Sequence, residues 1–354
     1  MKNKKKKQKK LKKRHPILRF LTTLLLLLAL AVGCAAVYVS QKLNLTQNSS
    51  GQSGESAPEV EVVVPEAPKE ADVLNILLLG TDERSYQFNT DARADSILLL
   101  SLNFDDGSVN LTSFERGLGV EMLGGQFPGK VDLLTHCFRW GGADLMLKEM
   151  QAYFDLDVEH YVRVNFATFT QLIDSLGGID VTLTASEASA MNALRPRTGA
   201  RDEYGQYIQY SDHKQSQFHE GENHLYGPAA LNYARLRSID SDWQRIQRQR
   251  TVLQACANRL LELDLREINA MLNDVLPLVD TNFTASELIS LGLKAPKFLG
   301  AQFDQMTIPV DRDTMGGITT YTGGGAFYPD YDLNARVLHE AIYGSPEVAQ
   351  SMVP

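Results

Sequence analysis

Two apolar runs set the centre of whatever this chain folds into. "VLNILLLG" (73–80) and "SILLLSLN" (96–103) lack the apolar/polar alternation of a strand that faces water. Short continuous runs of this kind read as strands covered on both faces. They call for a helical layer above and another below. The flanking sequence supplies both. "DDG" (105–107) is a hairpin turn and "VNLTSF" (109–114) alternates as the returning strand. "GGADLMLKEMQAYF" (141–154) has helical spacing, with Leu145, Met146, Glu149, Met150 and Phe154 along one face. "HYVRVNF" (160–166) reads as a strand, "FATFTQLIDSLGG" (166–178) as a helix stopped by a glycine pair, and "IDVTL" (179–183) as a strand. A polar loop follows over 185–223, then "GPAALNYARLR" (227–237), a long helix near 242–263, a helix at 284–294 and a strand at "QMTIPV" (305–310). Strands alternating with helices predict an α/β (α+β) fold: a mixed central β-sheet with helices on both faces, in three α-β-α layers. One domain is expected, over 73–345.

The charge is unevenly spread. Residues 1–19 hold eleven Lys or Arg and no acid, whereas the remainder has 24 basic residues against all 43 acids. So acidic a domain argues against nucleic acid as its partner, because phosphate neutralisation needs a basic surface; the basic tail has the charge for it, but its position points to a membrane. Directly after the basic tail, "FLTTLLLLLALAVGCAAVYV" (20–39) carries no charge. Twenty such residues span a bilayer, and the Lys/Arg flank marks the cytoplasmic side. The run exceeds the usual apolar stretch of a signal peptide, about 7–15 residues. It also continues past the lipoprotein-like "AVGC" ending at Cys34. A retained single transmembrane helix is therefore expected, with the N-terminus cytoplasmic and the rest of the chain extracellular. Residues 40–72, rich in Ser, Gly, Pro and Glu, read as a flexible extracellular linker. Cys137 and Cys256 are too few for a disulfide framework and read as a single pair or as free thiols.

Between the two apolar runs lie Asp82, Arg84, Asp91, Arg93 and Asp95. A chain leaving a buried strand at Gly80 presents Asp82 at its carboxyl end, where open α/β sheets bind ligands. Arg93 and Asp95, two apart, share a side if extended. Neighbouring carboxylates repel unless a cation joins them, and magnesium favours oxygen ligands. Asp82 with Asp95 is thus a candidate magnesium site; the competing reading is a surface loop of ion pairs. A second constellation is "NYARLRSIDSDWQRIQRQR" (232–250). Arg235 and Arg237 share a side if extended there. Arg245, Arg248 and Gln249 share a helix face, opposite the apolar Ile246, Leu253, Ala257 and Leu260. Guanidinium forks grip phosphate oxygens in pairs. Arg116, in "LTSFERG" (111–117), closes a third strand. His213, His219, His224, Glu220 and Glu222 match no helical zinc spacing and read as a surface loop. His136, in "THCFRWGG", reads as structural rather than as a base. No nucleophile elbow or phosphate-loop motif is present.

Taken in order, "NILLLGTDER", "ARADSILLLSLN", "LTSFERG", "LLTHCFRWGG", "HYVRVNFATFTQLIDSLGGIDV", "HLYGPAALNYARLR" and "DWQRIQRQRTVLQA" resemble the LytR-CpsA-Psr family over about residues 74–310. The resemblance implies a magnesium-dependent phosphotransferase of a Gram-positive-type cell envelope. It would move a glycopolymer such as teichoic acid or capsule polysaccharide from a polyprenyl-pyrophosphate carrier to peptidoglycan. The positions it implies are Asp82 and Asp95 for the metal, and Arg93, Arg116, Arg235, Arg237, Arg245 and Gln249 for the pyrophosphate. Arg116, Asp95 and Arg93 are the expected catalytic group. An apolar groove for the lipid tail is expected from Met150, Phe154, Phe169 and Ile173, against ordinary core packing as the alternative. One departure stands out: the family usually carries Asp directly after the arginine matching Arg116, and Gly117 stands here. The rival expectation is a non-catalytic extracellular receptor that binds polyprenyl-phosphate lipids or wall polymer.

Overall fold

The structure, a computed structural model, describes residues 72–83, 88, 91–193, 217–236, 239, 242–260, 262–298, 303–311 and 316–343. The expected tail, membrane span and linker lie outside these residues, apart from Asp72. Among the described residues no helix is long and apolar enough to cross a membrane. The strands are β1 (Val73–Thr81), β2 (Ala94–Asn103), β3 (Val109–Phe114), β4 (Gly119–Glu121), β5 (Val131–Leu133), β6 (Val158–Asn165), β7 (Ile179–Leu183), β8 (Gly221–Leu225), β9 (Asp280–Thr281), β10 (Phe303–Ile308), β11 (Gly316–Thr319) and β12 (Gly325–Tyr328). The helices are α1 (Leu134–Phe154), α2 (Phe166–Ser175), α3 (Ala185–Ala193), α4 (Gly227–Arg235), α5 (Asp242–Leu260), α6 (Leu265–Val275), α7 (Ala285–Lys294) and α8 (Tyr331–Tyr343).

The central sheet has the order β10-β3-β2-β1-β6-β9. Strands β1, β3, β6 and β10 run one way, while β2 and β9 oppose them. Because side chains alternate across a strand, the apolar runs divide residue by residue between two cores. Ile76, Leu98 and Leu100 face a core completed by α2, α4, α5 and α6. Leu77, Leu79, Ile97 and Leu99 face the other, completed by α1 and α8. This is the mixed sheet with helices on both faces that the apolar runs require. Strand β7 is not part of it: it pairs with β8 in a separate two-stranded ribbon.

Several elements go beyond the sequence pattern. Helix α1 starts at Leu134, seven residues ahead of the amphipathic stretch, and is broken at Gly142, where φ is 68°. That value is open to glycine and costly for other residues, so the helix changes direction there and its apolar period restarts. Helix α3 occupies the start of the polar loop. The β11–β12 hairpin and α8 close the molecule beyond the last expected strand.

Glu149, on the apolar face of α1, is fully buried. Its Oε1 accepts the Leu123 backbone N–H at 2.8 Å. Its Oε2 has no hydrogen-bond partner among the described residues. Burial pushes the carboxyl from its ordinary 4.5 up to about 7. A carboxyl with a raised folded-state pKa binds its proton better when folded. Its stabilising effect is therefore largest below the unfolded value and fades as pH rises through the folded one. Wild-type protein is expected to lose up to about 3 kcal/mol between roughly pH 5 and 8 from this group. Denaturant titrations of Glu149→Gln should remove most of that slope; an unchanged slope would rule Glu149 out as its source.

Candidate functional site

The strand directions bring one set of chain ends to a single edge of the sheet. The carboxyl ends of β1, β3 and β6 meet the start of β2 there, so Asp82, Arg116, Asn165 and Asp95 are neighbours along it. The loop between β1 and β2 is pinned at its base. The Asp82 backbone N–H donates to the Arg93 carbonyl at 3.2 Å, and Asp82 Oδ1 accepts the Arg93 N–H at 2.9 Å. Ser96 lies opposite Gly80 and Ala94 opposite Thr81, so Asp95 is the extra residue of a β-bulge. Bulges re-aim a side chain. A Cβ at Gly80 would lie only 3.0 Å from Ser96 Cβ, so this close approach relies on glycine. The aimed carboxylate meets Arg116: Ile97 pairs with Phe114, and two residues further along both chains Asp95 Oδ1 forms an ion pair with Arg116 Nη1. The pair stays open to solvent, with 27% and 22% of the side chains exposed. Arg93 is exposed beside it.

Helix α5 supplies the far wall. Ser96 Oγ donates to Gln249 Oε1 at 3.3 Å, joining α5 to the bulge. Arg250 anchors the helix across the sheet. Its Nε donates to Ser113 Oγ at 3.1 Å, and its Nη2 to Thr307 Oγ1 at 2.8 Å and to the Met306 carbonyl. Burial draws its pKa below the ordinary arginine value. Arg248 Nε donates to Glu187 Oε1 at 2.8 Å, and Nη1 to the Leu236 carbonyl at 2.6 Å. Burial opposes the Glu187 charge, but hydrogen bonds from Thr184 and Arg248 outweigh it and hold the carboxyl below its usual range. The sequence pattern put Arg245, Arg248 and Gln249 on one phosphate-facing surface. In the structure Arg245 and Arg248 are buried, and Arg248 is committed to α3. The helix is sunk into the domain, so its polar face packs against protein as well.

Arg235 is the last residue of α4 and not part of an extended segment; the chain becomes extended only at Leu236. Its guanidinium lies 4.1 Å from the centre of the Phe166 ring. Phe166 follows β6 directly, so Arg235 reaches the same sheet edge. Arg237 and His213 lie outside the described residues. Of the four residues expected to line a lipid groove, Met150, Phe154 and Ile173 are wholly buried, the first two in the core shared with α1 and α8 and the third across the sheet. They form no common groove. Phe169 is partly buried, beside Phe166 and Leu231. His224 is held by Asp180 (2.7 Å) and the Gly177 carbonyl (2.8 Å), and His219 is exposed. Cys137 and Cys256 are buried free thiols. At Gly117 an added Cβ would meet Phe327 Cδ2 at 3.5 Å, an ordinary contact, and the neighbouring Glu115 is buried.

Arg163 and Asp132, the partner of His136, escaped the sequence pattern. Arg163, in the middle of β6, is buried and pairs with Glu83 and with Asp280 (3.2 Å). An arginine inside an apolar strand was the available signal. Asp132 Oδ1 bonds His136 Nδ1 at 2.9 Å, a pair spaced four residues apart in the sequence. Burial raises the Asp132 carboxyl. Hydrogen bonds from Leu133, His136 and Trp140 outweigh that and lower it overall.

Among the described residues there is no group of three or more His, Cys, Asp or Glu side chains that could hold a metal. The Asp82–Asp95 donor set does fit magnesium of the kind that keeps most of its shell as water and phosphate oxygen. Both carboxylates stand at one edge and use only Oδ1 in their hydrogen bonds to described residues.

The sequence profile of the LytR_cpsA_psr family matches residues 36–327. A curated relative, the polyisoprenyl-teichoic acid–peptidoglycan teichoic acid transferase TagU of Bacillus cereus, is 29% identical over 224 residues, covering 62% of this chain and 64% of that protein. The match thus spans just under two thirds of that relative's length. Protein gbs0355 from Streptococcus agalactiae superposes with a TM-score of 0.61 at 23% identity, covering 77% of this chain and 87% of its own. TagT bound to LI-WTA superposes with a TM-score of 0.54 at 22% identity, covering 77% and 90%. These two likenesses establish the fold.

Proposed function

The chain belongs to the LytR_cpsA_psr family, and from that premise we propose that it is a membrane-anchored phosphotransferase. It moves a glycopolymer from a polyprenyl-pyrophosphate carrier to peptidoglycan on the outer face of a Gram-positive-type cell membrane. The observation that carries this reading is the Asp95–Arg116 pair, aimed by a bulge onto the edge that also presents Asp82. A transferred phosphoryl group needs cations around its oxygens and a fixed frame, and that edge supplies both. The name of the Bacillus cereus relative supports the same reaction class. The uncharged run at 20–39 behind a basic tail supports the anchor.

In this mechanism a sugar hydroxyl of peptidoglycan attacks the phosphorus joined to the glycopolymer. A new P–O bond forms, and the P–O bond to polyprenyl phosphate breaks, its electron pair leaving with that group. Arg116, steered by Asp95, faces the non-bridging oxygens. Arg93 and Arg235 add positive charge from the loop and from α4, and Gln249 fixes α5 against the bulge. Asp82 and Asp95 would hold magnesium, which when bound supplies charge neutralisation at the pyrophosphate.

One observation favours the receptor alternative: Gly117 offers no side chain beside Arg116. Full-length protein in lipid vesicles, given a lipid-pyrophosphate glycan and a peptidoglycan oligomer with and without magnesium, separates the two. Metal-dependent covalent linkage with release of polyprenyl phosphate is expected. Lipid binding that is indifferent to metal and yields no linked product would establish the receptor instead.

A further inference from the structure

We propose that His136, oriented by Asp132, accepts the proton of the incoming sugar hydroxyl; the inference rests on the transferase reading above. Three observations carry it.

The first is the shape of the dyad. The Asp132 side chain is fully buried and takes hydrogen bonds from four donors: the Leu133 N–H (2.8 Å), His136 Nδ1 (2.9 Å), Trp140 Nε1 (3.2 Å) and Thr322 Oγ1 (3.0 Å). A carboxylate so served stays charged, and a charged Oδ1 requires the proton of His136 to sit on Nδ1. The lone pair is therefore on Nε2. That atom makes no hydrogen bond to the described residues, and 11% of the side chain remains exposed.

The second is placement. Thr135, one residue earlier, donates its N–H to the Arg116 carbonyl at 3.3 Å and its hydroxyl to the Ala94 carbonyl at 2.7 Å. Ala94 directly precedes Asp95. His136 is thus rooted about 3.8 Å of chain from a residue that bridges both halves of the Asp95–Arg116 pair.

The third is the state of the other acceptors at this edge. Asp82 is bonded to the Arg93 N–H, Asp95 to Arg116 and Glu83 to Arg163. Glu115 is buried.

In the step itself, the hydroxyl oxygen bonds to phosphorus as its proton passes to Nε2, and polyprenyl phosphate departs with the electrons of the broken P–O bond. The imidazolium formed is offset by the Asp132 carboxylate. Asp132 is the charged group in contact with the ring; the charged or titratable groups on the adjoining segments are Arg139 on α1, which pairs with Asp91 at 2.7 Å, buried Cys137, the Asp95–Arg116 pair at the strand ends, and Lys130 just before β5, whose amine lies 5.8 Å from the Tyr321 ring centre.

The test is single-turnover linkage by the full chain in vesicles at one fixed pH, for wild type, His136→Gln and Asp132→Asn. Glutamine keeps an N–H for Asp132 but has no proton-accepting nitrogen. The expected result is a loss of roughly 10²–10⁴-fold in rate, with carrier binding and magnesium dependence unchanged. Asp132→Asn, which keeps the imidazole but removes the carboxylate that orients it, should also slow transfer with carrier binding unchanged. A His136→Gln rate within about threefold of wild type, well short of a general-base contribution, overturns the proposal. So does an Asp132→Asn rate equal to wild type, with carrier binding unchanged in the same variant. If wild type makes no linkage at all, the transferase reading fails and this inference falls with it; an active wild type with an unimpaired variant removes only the inference.

Discussion

Asp95→Asn is expected to lower magnesium-dependent transfer by roughly 10²–10³-fold while leaving the fold intact. The substitution acts twice. It takes one charge from the carboxylate pair proposed to hold magnesium, and it removes the ion-pair partner of Arg116. Both losses weaken the hold on a phosphoryl group whose charge builds during transfer. The cost to stability should be small, about 1 kcal/mol or less, because the pair is part-exposed and solvent screens it. A magnesium titration of the transfer rate reads the first loss as a shifted requirement. Comparison with Arg116→Lys reads the second, since lysine keeps the charge and loses the fork. Transfer by Asp95→Asn at near wild-type rate and with unchanged metal dependence would remove Asp95 from the metal site.

Arg163→Met should cost about 3–5 kcal/mol of stability, the range for breaking a buried ion pair by removing one partner. Arg163 Nη1 is 3.2 Å from Asp280 Oδ2, its Nε donates to Thr81 Oγ1 at 3.3 Å, and Nη2 pairs with Glu83. Its guanidinium also lies 4.4 Å from the centres of the Phe88 and Phe138 rings. Methionine fills similar space and leaves two buried carboxylates without their shared cation. The effect should reach the site, because Glu83 follows Asp82 directly and its carbonyl accepts the Phe166 N–H at 3.1 Å. Neutralising the acids as well, in Arg163→Met with Glu83→Gln and Asp280→Asn, should recover much of the loss in urea denaturation. A single variant as stable as wild type would show that the triad does not hold this edge together.

Local pattern explains which parts of the fold could be read from residues alone. The runs at 73–80 and 96–103 announced two-faced burial because every second side chain goes to a different core. "VNLTSF" gave β3 to the residue, and the glycine pair after α2 marked its end, where Gly177 and Gly178 have φ of 80° and 96°. The helical start of α1 was hidden, since "LTHCFRW" has no clean apolar period and a glycine then breaks the phase. The packing of the α5 arginines was hidden for a related reason. A charged face normally reads as solvated, but here Arg248 and Arg250 are satisfied by Glu187, Ser113 and Thr307, all distant in sequence.

By itself, then, the sequence determined the layered α/β character, the acidic balance of the chain beyond its basic tail, and the presence of Asp82, Asp95 and Arg116 next to strand ends. Tertiary structure alone decided that β3 lies between β2 and β10, that a bulge turns Asp95 onto Arg116, and that Asp132 receives Thr322 from a hairpin 190 positions away. The physical reason is range. Burial periodicity reports each residue's immediate backbone geometry, whereas strand register and buried polar partners are fixed only when distant segments compete for the same hydrogen bonds.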